Sequence, residues 1–225
     1  LKDYDDSLKT FQKEHNLTIF HLMGQHVNYK LRYRKEQAKF WASSYEEKRP
    51  ELTTAQRKML SHYDNATLYN DSIVAQIVKR FQKEDAVVIY VPDHGEECYE
   101  EDRGFICRNH SANIDWPLAH YEFEIPFWIY CSPKYIRNHR DIYRQIRKAK
   151  DKRFMTDALP HLLLYLAGIE TPTYKEEYNI LSPKYDEMRP RILKNSADYD
   201  KLRDAHLEKI KKEESKKVKK KERRN

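Results

Sequence analysis

Ala86-Val87-Val88-Ile89-Tyr90-Val91-Pro92-Asp93-His94-Gly95-Glu96 decides the fold. Six continuous apolar residues, four of them β-branched, read as a strand covered on both faces, and Pro92, which has no N–H for a ladder, ends it. A carboxylate and an imidazole follow side by side, with Gly95 to let the backbone turn sharply. Open α/β sheets collect functional groups just beyond the carboxyl ends of their strands. Asp93 and His94 together can reach a zinc-like ion. Taken alone, adjacent Asp and His are more often a hydrogen-bonded turn than a metal site.

Working outward, the apolar positions Leu68, Ile73, Val74, Ile77, Val78 and Phe81 recur at helical spacing and predict a long amphipathic helix over residues 61–82. Residues 35–60 are charged, contain Pro50 and carry a helix-start signal at Thr53-Thr54, which suggests a loop and a short helix. Leu17-Thr18-Ile19-Phe20-His21-Leu22 reads as a second buried strand that stops at Gly24. Downstream, Phe127-Trp128-Ile129-Tyr130-Cys131 predicts a third strand. Asp157 to Ala167 predicts a helix with Leu159, Leu162, Leu163 and Leu166 on its apolar side and Gly168 just past its end. This order of elements is that of an α/β domain with a mostly parallel sheet flanked by helices.

Composition narrows the reading. With 17 Tyr, 8 Phe and 3 Trp among 225 residues, the chain has the large packing groups that a disordered polypeptide lacks. The apolar stretch Phe123 to Cys131 is interrupted by Glu124 and Pro126 and is too short to cross a bilayer. The chain opens Leu-Lys-Asp-Tyr, without an initiator Met or a signal-like segment, and reads as a fragment or processed product. Residues 201–225 hold 12 Lys or Arg against 5 Asp or Glu, which leaves residues 1–200 neutral. We therefore expect one folded portion over 1–200 and a basic tail, helical or disordered, over 201–225. The run Lys216-Lys217-Val218-Lys219-Lys220-Lys221 reads first as a solvated tail, and no nucleic-acid partner is expected. Cys98 and Cys107 could pair in an oxidising compartment, with free thiols the alternative for them and for Cys131.

Val87-Val88-Ile89-Tyr90-Val91-Pro92-Asp93-His94-Gly95-Glu96 resembles the strand-plus-ligand segment of the sulfatase and alkaline-phosphatase superfamily, with Pro92 in place of the usual Ser. His21-Leu22-Met23-Gly24-Gln25-His26, followed by Arg32-Tyr33, is similar to the His-x-x-Gly-Ser-His segment and trailing Arg-Tyr-Pro of the phosphoethanolamine transferases. Gln25 replaces the Ser and Arg34 the Pro. Tyr63 to Asp71 resembles the helix before the ligand strand. Tyr121 to Phe127 and Asp157 to Ile169 are similar to the family's later strand and terminal helix.

The resemblance implies an alkaline-phosphatase-like fold, incomplete at its N-terminal side. It implies one or two zinc ions, with Asp93 and His94 as metal ligands, and substrate contact by His26, by His110 in Arg108-Asn109-His110, and by His21. For His21 a core histidine satisfied by the backbone is an equal rival. It further implies a metal-activated Thr that takes phosphoethanolamine from a phospholipid and passes it to lipid A or another glycan acceptor. The family's nucleophile and a Glu ligand precede the His-x-x-Gly-x-His segment, so no catalytic nucleophile is expected among these residues. The fragment alone is expected to be inactive, with an exposed sheet edge. Its parent is expected to be anchored by N-terminal helices and to work at the periplasmic face of the bacterial inner membrane. The rival functions are a sulfatase or phosphodiesterase hydrolase of the same superfamily, and a non-catalytic binding module with a basic tail.

Overall fold

The computed structural model describes residues 4–7, 15–109 and 113–222. Its helices are α1 (Thr54–Phe81), α2 (Trp116–Phe123), α3 (Pro133–Asn138), α4 (Arg140–Ala149), α5 (Leu159–Leu166) and α6 (Tyr199–Glu222). Its strands are β1 (Val87–Tyr90), β2 (Glu97–Cys98), β3 (Ile106–Cys107), β4 (Trp128–Cys131), β5 (Ile192–Leu193) and β6 (Ala197–Asp198). The chain divides into two compact units. One comprises Leu1–Ile89, Ile129–Ile146 and Leu164–Glu170, and the other Tyr90–Trp128, Arg147–Leu163 and Thr171–Asn225.

In the first unit the signal at Thr53 opens the long helix itself, seven residues earlier than the apolar periodicity suggests. Thr53 Oγ1 accepts from Gln56 N at 3.2 Å, and Gln56 Oε1 accepts from Thr53 N at 2.9 Å, so the two residues form a capping box. The charged segment before it is held onto α1 by side chains. Tyr29 is buried and meets Tyr63 edge to face at 5.3 Å, Tyr33 OH lies 2.8 Å from His62 Nδ1, and Tyr45 donates to Asp64. Buried Asn65 uses all of its hydrogen-bonding capacity on this attachment. Its Oδ1 accepts from Lys39 N (2.7 Å) and Phe40 N (3.1 Å), and its Nδ2 donates to Phe40 O and Ser61 O, both at 2.8 Å. Asn65→Ala orphans those backbone groups, and we expect it to cost about 2–3 kcal/mol by urea denaturation.

The strand expected over residues 17–22 does not form. Leu17 is 71% and Ile19 80% exposed, and no strand among the described residues pairs with this segment. Phe20 is anchored, with its ring 6.2 Å from Phe81 and 5.3 Å from Tyr4. An apolar run forms a buried strand only where a neighbouring strand takes up its N–H and C=O groups. The mostly parallel sheet is likewise reduced. β1 and β4 make a two-stranded sheet, whereas β2–β3 and β5–β6 are antiparallel pairs. Beside β1, Ser132 N donates to Ala86 O at 3.0 Å, and Ser132 Oγ caps α3 through Tyr135 N.

The second unit packs Ala119, Leu193 and Tyr199 against Ile114, Trp116, Phe123, Ala197 and Leu202. Residues Tyr121–Phe123, which the resemblance attached to a strand, are the last turn of α2. Asp115 begins that helix by accepting from Leu118 N at 3.0 Å, and Pro117 fits its first turn. The three cysteines are free. The β2–β3 register sets Cys107 opposite Glu97 and Cys98 opposite Ile106, so the two thiols occupy different rungs.

The tail is helical, with α6 starting two residues before the expected boundary. Its residues 207–216 are exposed, and no described helix is long and apolar enough to cross a membrane. Asp200, at the start of α6, accepts from Arg153 (2.5 Å) and Arg191 (2.6 Å), and Arg203 lies 3.2 Å away. The Arg191 hydrogen bond, reinforced by the positive charges around it, holds its carboxyl below the ordinary carboxylate value. The stability this supplies is complete above about pH 4, the unfolded value, and is lost as pH falls through the lower folded value. Asp200→Asn is therefore expected to cost on the order of 1 kcal/mol at pH 7. The gap between wild type and variant should close in melts run at progressively more acid pH.

Candidate metal centre

Past the end of β1 the chain turns into Asp93-His94-Gly95, in the second unit. Gly95 is fixed against the end of α2 by its N–H, which donates to Glu122 O at 2.8 Å. A Cβ at this position would lie 2.3 Å from Tyr121 O, so the residue is glycine because two backbones approach too closely for anything larger.

The carbonyl of Gly95 itself orients His94. Nδ1 lies 2.7 Å from Gly95 O, and because a carbonyl only accepts, Nδ1 carries the proton and Nε2 the lone pair. Nε2 stands 3.6 Å from Asp93 Oδ2. Zinc takes nitrogen and carboxylate ligands at about 2.0–2.2 Å with near-tetrahedral angles, which sets such donors about 3.3–3.6 Å apart. The pair therefore fits one ion, with the Asp93 side chain 90% exposed and His94 mostly enclosed. Among the described residues no group of three or more His, Cys, Asp or Glu is gathered for a metal.

The pair rests on a polar scaffold. Glu97, fully buried in β2, accepts from Arg103 Nε at 2.7 Å. Arg103 Nη1 reaches Asp115 Oδ2 at 3.1 Å, which ties the β2–β3 hairpin to the cap of α2. Buried Glu122 holds both sides of the centre. Its carbonyl binds Gly95, and its Oε1 accepts from Asn109 N at 2.6 Å. Next to Asn109, Arg108 places Nη1 2.5 Å from His94 Nε2. Arg108 has no sequence signal of its own, because its pairing with His94 is a tertiary contact across fourteen residues.

Of the expected substrate residues, His110 lies outside the described residues. His21 and His26 belong to the first unit, and both are exposed there. His26 closes a turn in which its N–H donates to Met23 O at 3.0 Å and Gly24 adopts φ +47°. Its Nδ1 lies 2.6 Å from Val27 O. Arg32 clamps the loop through His26 O (2.8 Å) and Val27 O (3.3 Å), and Asn70 of α1 donates to Gln25 Oε1 at 3.4 Å.

The sulfatase family model matches residues 1–169. Phosphoethanolamine transferase EptC of Escherichia coli strain K12 is 32% identical over 196 residues, which take in 83% of this chain and 32% of the relative. The Kdo(2)-lipid A phosphoethanolamine 7''-transferase of the same strain is 30% identical over 141 residues, 61% of this chain and 23% of that protein. Among solved structures, the C-terminal periplasmic domain of E. coli EcEptC in complex with Zn superposes with a TM-score of 0.71 at 28% identity. The superposition covers 89% of this chain and 56% of that one. The chain thus spans between about a quarter and a third of the length of these curated relatives.

Proposed function

Because the chain belongs to the sulfatase family, we propose that it forms the C-terminal part of the catalytic domain of a phosphoethanolamine transferase, with Asp93 and His94 as ligands of a zinc ion. The observation that carries this reading is the pairing of His94 Nε2 with Asp93 Oδ2 at 3.6 Å, with the imidazole tautomer fixed by Gly95 O. Zinc, when bound, lowers the pKa of a hydroxyl nucleophile and offsets charge on the phosphoryl oxygens. His94 contributes orientation, because a ring that donates through Nδ1 is held with its lone pair outward. Asp93 adds the negative charge that makes the pair attractive to a cation.

In this reading the nucleophile and the remaining ligand belong to the parent protein beyond this chain, and the 225 residues alone turn over no substrate. The donor is a phospholipid and the acceptor is lipid A or a related glycan. The relatives' names, which include a lipid A transferase and a periplasmic domain, support this acceptor and a periplasmic location, which in this reading is the outer face of the inner membrane. His26, His110 and His21 are assigned to substrate contact.

The test is transfer of labelled phosphoethanolamine from phospholipid to lipid A by membranes carrying the full-length parent. Activity removed by chelator and restored by zinc is expected. Chelator-insensitive transfer contradicts the proposal, and release of free phosphoethanolamine without transfer supports the hydrolase reading instead.

A further inference from the structure

The metal-facing nitrogen of His94 is engaged by a cation that the chain itself supplies. Arg108 Nη1 lies 2.5 Å from Nε2, on the atom a metal would take. Arg108 is also prevented from moving far. Its neighbour Asn109 is bound by Glu122 Oε1, the carbonyl of Glu122 binds Gly95, and Cys107 is paired with Glu97 in the β2–β3 hairpin. A zinc ion on His94 must displace the guanidinium from Nε2 while these anchors keep it within a side-chain swing of the ion. A guanidinium remains charged at every accessible pH. The loaded centre therefore sets a divalent and a monovalent cation close together, with Asp93 the ligand carboxylate beside them. Such an arrangement is stabilised by an anion that bridges the two, and the planar fork of arginine suits a pair of phosphoryl oxygens.

We infer that Arg108 is the phosphate-binding residue of this centre and couples anion to metal: it covers His94 Nε2 when both are absent and grips a phosphoryl group once zinc has replaced it. The inference rests on the zinc reading above. It makes zinc and phosphate mutually reinforcing ligands, and by linkage each raises the affinity of the other by one common factor.

The experiment is calorimetric titration of zinc into the 225-residue chain, with and without inorganic phosphate kept below the solubility limit of its zinc salt. Wild type should bind zinc about 10-fold more tightly with phosphate present. Arg108→Gln should bind zinc about 5–10-fold more tightly than wild type when phosphate is absent, because the competing hydrogen bond is gone. Its response to phosphate should fall to within about twofold. Arg108→Lys, which keeps the charge without the fork, should retain part of the phosphate effect. An equal phosphate effect in wild type and Arg108→Gln overturns the inference and leaves the zinc site standing. Zinc binding that His94→Ala leaves unchanged overturns the metal reading itself, and the inference with it.

Discussion

Gly95→Ala is expected to destabilise the protein by about 3 kcal/mol and to abolish metal binding at Asp93 and His94. The Cβ would lie 2.3 Å from Tyr121 O, and that oxygen belongs to backbone at the end of α2, not to a side chain able to rotate away. Relief requires the turn to move, which breaks the 2.8 Å bond from Gly95 N to Glu122 O and shifts the Gly95 carbonyl that orients His94. Gly104→Ala is the informative control. Gly104 has φ +65° with open space around its position, so alanine there meets only the conformational penalty of about 1 kcal/mol. A midpoint shift in urea at least twice as large for Gly95→Ala as for Gly104→Ala, with zinc binding lost only in the first, is the expected result. Equal shifts would show that the packing of Gly95 against α2 does not matter.

His94→Ala is expected to lower zinc affinity at least about 100-fold while leaving the denaturation midpoint close to wild type. Loss of a partner that merely orients a ligand typically costs 10–100-fold, and loss of the ligand itself costs more. Stability should change little, because Gly95, not the imidazole, makes the bond that holds the turn to α2. His26→Ala separates the roles assigned to the two segments. His26 is an exposed side chain in a turn clamped through its backbone by Arg32, so its removal should leave zinc affinity within about twofold of wild type while weakening donor-lipid binding. Equal loss of zinc in both variants would make His26 a ligand and contradict the assignment.

The parts of this structure that could be read from sequence are those whose signal is local. The apolar run ending at Pro92 forms β1 because β4 is there to pair with it, and the Asp-His-Gly that follows sets Asp93 and His94 side by side just past the strand. The capping box of Thr53 and Gln56 was equally available, and its true consequence is one helix of 28 residues instead of two shorter pieces. Leu17 to Leu22 shows the opposite case. Its pattern is that of a buried strand, yet a pattern states a capacity for pairing, and no described strand meets it. Helix α2 is only eight residues long, too short to display a period, although Asp115 and Pro117 mark its start. The grip of Glu122 on both Gly95 and Asn109, and the contact of Arg108 with His94, depend on chain segments meeting in space, and no spacing in the sequence encodes them.

The central claim is that Asp93 and His94 hold a metal ion, and anomalous scattering at the zinc edge from crystals of the 225-residue chain grown with zinc tests it most directly. A peak within bonding distance of both His94 Nε2 and Asp93 Oδ2, with Arg108 turned away from the imidazole, is the predicted result. A peak elsewhere, or His94 still covered by Arg108 at saturating zinc, would contradict it.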